Sequence, residues 1–190
     1  TSSEPEPDWL IPNLIHKGNM ILLCGLAGVG KSLFSYSLSN ALASGLPILG
    51  QPISPKRVLY YDEENSRADL AAYARWTWRG FQCPPIDVIA DNFRIESRTL
   101  AASANWGQTL RIQAAEHRPD LIIIDTATPA CRIHDENDNA EAQRAVQSLR
   151  HVMRDCGSSP AVKILKHAKY VSGGGHGGGR RQLAGACRLC

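Results

Sequence analysis

Short apolar runs alternate with amphipathic segments along most of the chain. Five runs are bounded by turn-forming or charged residues, which is typical of strands buried on both faces of a sheet. These runs cover residues 20–24, 58–61, 93–95, 121–124 and 161–165. Because strands that alternate with helices usually pair in parallel, the pattern predicts an α/β fold with a central, mostly parallel sheet and helices on both faces.

Four segments between these runs carry helix signals, at residues 32–44, 66–80, 106–117 and 139–156. Gly45 follows the first and favours a helix C-terminus, and Ser66-Arg-Ala-Asp69 resembles a capping box at the start of the second. Within the second segment, Trp76 and Phe81 are expected to pack the helix onto the sheet. Together with Trp78 they could instead stack nucleic-acid bases.

The composition is that of an ordinary globular protein of about one domain. The chain has 190 residues, of which 43% are hydrophobic and 21% charged. A net charge of +3 permits contact with nucleic acid but does not argue for it. No apolar run approaches the ~20 residues that span a bilayer, so no membrane partner is expected.

The two ends of the chain differ in composition from its centre. Residues 1–8, TSSEPEPD, predict a disordered N-terminal tail. Residues 9–190 are expected to form one domain, incomplete at its C-terminus, so the chain is expected to be a fragment. Residues 172–181, SGGGHGGGRR, predict a mobile loop. The six cysteines show no disulfide-like rhythm and predict free thiols in a cytoplasmic protein.

The strongest chemical signal follows the first apolar run. Gly25-Leu-Ala-Gly-Val-Gly30-Lys31-Ser32 fits the phosphate-binding pattern G-x-x-x-x-G-K-[ST] between a strand and a helix. Lys31 would reach the β- and γ-phosphates, while backbone N–H groups and the helix N-terminus surround the phosphates. The predicted nucleotide-binding residues are Gly25, Leu26, Ala27, Gly28, Val29, Gly30, Lys31, Ser32 and Leu33.

A second strand predicts the magnesium site. The run LIIID, residues 121–125, delivers Asp125 to the strand end, where a P-loop site uses a carboxylate to hold the Mg²⁺ shell. The hydroxyl of Ser32 is the other predicted Mg²⁺ ligand. The alternative for Asp125 is a cap on the loop after a core strand.

The residue that activates water is not obvious near Asp125. Thr126 comes next, and its hydroxyl cannot act as a base near neutral pH. The run VLYYDEEN, residues 58–65, ends in three consecutive carboxylates at a strand end, where ligands bind in open α/β sheets. These carboxylates are candidates for a general base; the alternative is a solvated acidic turn.

Taken together, these motifs resemble the RecA-like P-loop ATPase core, in the branch of AAA-type bacterial and phage ATPases that contains the plasmid replicative helicase RepA. The resemblance rests on GLAGVGKS, VLYYDEEN, PDLIIIDTAT, DENDNAEAQRAV and ILKHAK. It implies that the catalytic glutamate is Glu64, with Glu63 as the fallback, and that His167 senses the γ-phosphate. Family members carry a histidine pair after the last core strand, and here Lys166 precedes His167.

The resemblance implies Mg-ATP hydrolysis by a DNA-acting motor in a homo-oligomeric ring, a hexamer in this family. Its catalytic residues would be Lys31, Glu64 and His167. Single-stranded DNA would then meet the loop after His167, where Lys169, Arg180 and Arg181 stand. The alternatives are a nucleotide-dependent switch with little turnover and a small-molecule P-loop kinase.

Overall fold

The computed structural model describes residues 8–134, 139–158, 160–167, 170–171 and 182–183. Nine strands lie within these residues: β1 Trp9–Ile11, β2 Ile15–His16, β3 Met20–Gly25, β4 Val58–Asp62, β5 Phe93–Ser97, β6 Leu121–Asp125, β7 Ala161–His167, β8 Tyr170–Val171 and β9 Gln182–Leu183. The α-helices are α1 Lys31–Ser44, α2 Arg67–Phe81, α3 Thr99–Ala102, α4 Trp106–His117, α5 Ala127–Ala130 and α6 Asn139–Asp155.

Five of the strands form one parallel sheet in the order β3-β7-β6-β4-β5. The connection from β4 leads outward to β5, whereas the connection from β6 leads in the opposite direction to β7. The ends of β4 and β6 therefore flank a point where the strand order reverses, and open α/β sheets bind ligands at such points. This is the RecA-like P-loop core that the sequence predicts.

The central strands are buried on both faces, as their continuous apolar runs require. In β6, Ile122 and Ile124 pack into one core with α3, α4 and α6. Leu121 and Ile123 point the other way, into a second core with α1 and the β1–β2 hairpin. Because side chains alternate along a strand, Asp125 shares the α1 face with Leu121 and Ile123.

The predicted helix boundaries agree closely with those observed. Helix α1 ends with Gly45 in the left-handed conformation, at φ 71°. Helix α2 begins with the predicted capping box: Ser66 accepts a hydrogen bond from the backbone N–H of Asp69, whose carboxylate accepts one from the backbone N–H of Ser66. The helix passes through Gly80, where the sequence predicted its end, and stops after Phe81.

Two expectations about side chains are wrong. Trp76 and Phe81 do not pack α2 onto the sheet, since they are 52% and 65% exposed. Cys83, Cys131 and Cys156 are free, as predicted, and the structure buries all three. Cys24 is disulfide-bonded, so the expectation of free thiols throughout is wrong for this residue.

The described helices include none that is long and apolar enough to cross a membrane. Three sequence predictions fall outside the described residues. They are the disorder of the N-terminal tail before residue 8, the glycine-rich loop at residues 172–181, and the contacts of Lys169, Arg180 and Arg181 with DNA.

Candidate active site

The register of the parallel sheet brings the predicted site residues to one edge. Gly25, at the end of β3, lies beside His167, at the end of β7. Asp62 and Asp125 lie side by side at the ends of β4 and β6. Residues far apart in sequence therefore meet because parallel strands end at the same edge.

The loop between β3 and α1 has the conformation that a phosphate site needs. Gly28 and Gly30 adopt φ values of 76° and 90°, in the left-handed region that glycine enters without strain. No side chain caps the N-terminus of α1 at Gly30. The first N–H groups of this 14-residue helix thus face the exposed loop residues Ala27 to Gly30, which favours anion binding.

Lys31 connects this loop to β7. Its ammonium donates hydrogen bonds to the carbonyl oxygens of Gly25 and Leu26, at 2.9 and 2.7 Å. It also lies 3.3 Å from Nδ1 of His167. Because an ammonium can only donate, we assign Nδ1 as the acceptor and place the ring proton on Nε2. That nitrogen lies 3.2 and 3.1 Å from the two carboxylate oxygens of Glu64.

The three consecutive carboxylates after β4 have different roles. Asp62 is fully buried, and its Oδ1 accepts from the backbone N–H groups of Glu64 and Asn65, which closes the turn. The carboxylate of Glu63 turns away from the site and accepts from the backbone N–H groups of residues 100 and 101, at 2.9 and 3.0 Å. Among the contacts of these three carboxylates, only those of Glu64 include His167.

Thr126 takes part in the site, although its hydroxyl is no base. Its Oγ1 donates a hydrogen bond to Oε2 of Glu64 at 3.1 Å, and the residue is only 3% exposed. The peptide bond that precedes it is cis. The Glu64 carboxylate is therefore held from two sides, by Thr126 and by His167. This role of Thr126 was not predicted, because its partner Glu64 lies 62 residues earlier in the chain.

Asp125 is fully buried, and its two carboxylate oxygens differ in their hydrogen bonding. Tyr60 donates to Oδ2 at 2.6 Å, whereas Oδ1 has no hydrogen-bond partner among the described residues. Burial raises the pKa of Asp125, and the Tyr60 and Ser32 hydroxyls oppose that shift. A buried carboxylate oxygen without a partner is costly unless a cation balances it.

The residues present fit a magnesium ion. Mg²⁺ is bound in proteins through one or two side chains plus phosphate oxygens and water, so Ser32 and Asp125 suffice. The described residues contain no cluster of three or more histidine, cysteine, aspartate or glutamate side chains that could hold a metal on their own.

A chain of polar contacts links the site to α2. The hydroxyl of Tyr73 donates to Oδ1 of Asn65 at 3.2 Å, and the amide of Asn65 donates to both oxygens of Asp62. Tyr60 and Tyr73 are not among the predicted site residues. Tyr60 could have been found from strand periodicity, because it shares a face of β4 with Asp62.

A groove between α4 and α6 lies on the opposite face of the sheet. It has a volume of about 410 Å³ and includes Arg111, Ser148 and His151 in its lining. Arg111 is paired with Asp155 at 3.6 Å. None of the predicted catalytic residues lines this groove, so its chemistry is separate from that of the strand ends.

The comparisons with known proteins agree with this geometry. The sequence model of a family described as AAA domain matches residues 1–170. The chain therefore belongs to this family of P-loop ATPases. A search among curated proteins found no match.

Proposed function

We propose that the protein binds Mg-ATP and hydrolyses it, with Glu64 as the general base. One observation carries this proposal. The Glu64 carboxylate is held by Thr126 and by His167, whose other ring nitrogen contacts Lys31, the lysine of the phosphate loop. A base that is connected to a phosphate ligand through one imidazole is well placed to act beside the γ-phosphate.

Each residue has a distinct part in binding. The N–H groups of the loop from Gly25 to Gly30 and the N-terminus of α1 would surround the β-phosphate. Lys31 would exchange its contacts with carbonyl oxygens for phosphate oxygens. Ser32 and Asp125 would hold Mg²⁺, which supplies charge neutralisation on the phosphates when it is bound.

Glu64 takes the proton in the chemical step. A water oxygen forms a bond to the γ-phosphorus, while the bond from that phosphorus to the β–γ bridging oxygen breaks. The bridging oxygen leaves with the bonding electrons as part of ADP, and the water proton passes to the Glu64 carboxylate. Thr126 keeps that carboxylate oriented, and His167 would sense the γ-phosphate. Inorganic phosphate and ADP are the products.

We further propose that this ATPase is a RepA-type motor that acts on single-stranded DNA in a homo-oligomeric ring, a hexamer by resemblance. This part depends on the resemblance of GLAGVGKS, VLYYDEEN and ILKHAK to that branch. A fold does not by itself define a function, so the motor requires its own test.

The test measures phosphate release from Mg-ATP with and without single-stranded DNA. Hydrolysis that DNA stimulates, and that Lys31→Ala abolishes in a folded variant, would support both parts of the proposal. Hydrolysis without stimulation would retain the ATPase and reject the DNA-acting motor. Nucleotide binding without hydrolysis under either condition would contradict both and support a nucleotide-dependent switch.

A further inference from the structure

The outward side of α2 carries two tryptophan side chains that are more than half exposed. Trp76 is 52% exposed and Trp78 is 59% exposed. The large apolar surface of tryptophan favours burial, so two neighbouring exposed indole rings form an apolar patch. Exposed aromatic clusters of this kind mark contact surfaces.

Arginines lie between the two tryptophans on the helix surface. At about 100° per residue, Arg75 and Arg79 follow each other along the outward side, with Trp78 on one flank and Trp76 on the other. The inward side is formed by Leu70, Tyr73, Ala74 and Thr77, which are buried or partly buried. We call the four outward side chains, Arg75, Trp76, Trp78 and Arg79, the α2 strip.

The positive charge of the α2 strip is not neutralised locally. Among the described residues, Arg67, Arg75 and Arg79 form no ion pair, whereas Arg94, Arg111 and Arg154 each contact a carboxylate. The one acidic residue of α2, Asp69, accepts hydrogen bonds from the backbone N–H and the hydroxyl of Ser66. The helix therefore presents three unpaired cations beside two exposed indole rings.

This combination matches the chemistry of single-stranded nucleic acid. Exposed indoles stack on bases of any sequence, and arginines meet the phosphates between the bases. An apolar protein partner would use the indoles but would leave the arginines without partners, and burying unpaired cations is costly. The charge on the strip thus favours a flexible polyanion with planar bases.

We propose that the α2 strip is a binding surface for single-stranded nucleic acid. This inference rests on the proposed DNA-acting function and gives that function a contact surface separate from the ATP site. Trp76 also contacts Tyr73, with ring centroids 6.0 Å apart, and Tyr73 leads through Asn65 to Asp62. A base stacked on Trp76 would therefore be separated only by the Trp76 ring from the series of polar contacts, beginning at Tyr73, that reaches the site.

The test is binding of a fluorescein-labelled oligothymidylate of about 16 nucleotides at low salt, with and without a non-hydrolysable ATP analogue. Trp76→Ala and Trp78→Ala should each weaken binding by at least about fivefold, and the double Trp→Phe variant should retain most of it because phenylalanine still stacks. Arg75→Ala together with Arg79→Ala should make the slope of log affinity against log salt concentration less negative by about 1.4. Each of the two lost phosphate contacts contributes roughly −0.7 to that slope for single strands. Arg150→Ala, an exposed arginine on α6, is the matched control and should bind as the parent does.

Three results would overturn the inference. The first is equal binding by the parent, the Trp→Ala variants and the Arg75→Ala, Arg79→Ala double variant. The second is no binding by the parent under either nucleotide condition. The third is self-association of the parent in light scattering that Trp78→Ala removes, which would make the strip an interface between copies. Lys31→Ala separates this inference from the ATPase: it should abolish hydrolysis and leave oligonucleotide binding intact without nucleotide. If the parent binds the oligonucleotide but hydrolyses no ATP, and only the α2 strip variants lose this binding, the inference is retained and the ATPase proposal is rejected.

Discussion

His167 and Glu64 are in direct contact although 103 residues separate them, with Nε2 within 3.2 Å of both carboxylate oxygens. The other ring nitrogen of His167 lies 3.3 Å from Nζ of Lys31. A phosphate ligand and the proposed base are thus joined through a single side chain. Any movement of Lys31 toward a phosphate would change the hydrogen bonding of His167 and, through it, of Glu64.

Glu63 should matter for stability rather than for chemistry. Glu63→Ala leaves the N–H groups of Leu100 and Ala101 without their acceptors, which should lower the free energy of unfolding by about 1–3 kcal/mol. Denaturant unfolding of this variant and of Glu64→Ala measures the difference. Since Glu64 is half exposed, its replacement should change stability little. Equal losses in the two variants would show that the hydrogen bonds from Leu100 and Ala101 to Glu63 do not stabilise the fold.

Thr126 should position the base through its hydroxyl. Thr126→Val keeps the shape of the side chain and removes the donor to Glu64, so kcat should fall by about tenfold while the affinity for ATP is kept. Thr126→Ser retains the hydroxyl and should behave as the parent does. Steady-state phosphate release and nucleotide titration separate the two effects. Parent-like kcat in Thr126→Val would remove Thr126 from the mechanism.

The contribution of Lys163 to the free energy of unfolding should increase as the pH rises above about 8. It lies buried on β7, its Nζ has no hydrogen-bond partner among the described residues, and it stands 4.3 Å from the ring centroid of Phe34. Burial lowers the pKa of Lys163 from 10.5 to about 8, and the negative charge of Asp125 opposes the shift. The folded protein therefore disfavours the charged ammonium.

The pKa of Lys163 is about 8 in the folded protein and 10.5 in the unfolded chain. Between about 8 and 10.5 the unfolded chain binds the proton and the folded protein does not, so the contribution of this group to stability rises with pH and is least below pH 8. Lys163→Met should be more stable than the parent at pH 7, by on the order of 1–3 kcal/mol, and the advantage should shrink by pH 9.5. Urea unfolding of both proteins at several pH values tests this. An advantage that is constant with pH would contradict it.

The sheet was predictable from sequence because each strand is a short apolar run between turns, and all five core strands lie where the pattern places them. The β1–β2 hairpin was missed, since strands of three and two residues are too short to show a period. The exposure of Trp76 and Phe81 was missed because composition favours burial of aromatic residues and cannot reveal a partner outside the chain.

The motifs of the site were predictable, but the choice between neighbouring residues was not. The phosphate loop has a continuous signature of eight residues. Whether Glu63 or Glu64 faces the site depends on the N-terminus of α3, which lies 37 residues further along the chain. Adjacent residues on a turn have similar local preferences, so only the tertiary contact separates them.

The role of Glu64 in activating water for ATP hydrolysis is tested by measuring the turnover of Glu64→Gln together with its affinity for ATP. Glutamine keeps the shape and polarity of the side chain but cannot take the proton. In Glu64→Gln, kcat should therefore fall by roughly 10²–10⁴-fold while nucleotide binding is retained, and folded Glu63→Gln should turn over close to the parent rate. Parent-like turnover in Glu64→Gln, or the large loss in Glu63→Gln instead, would contradict it.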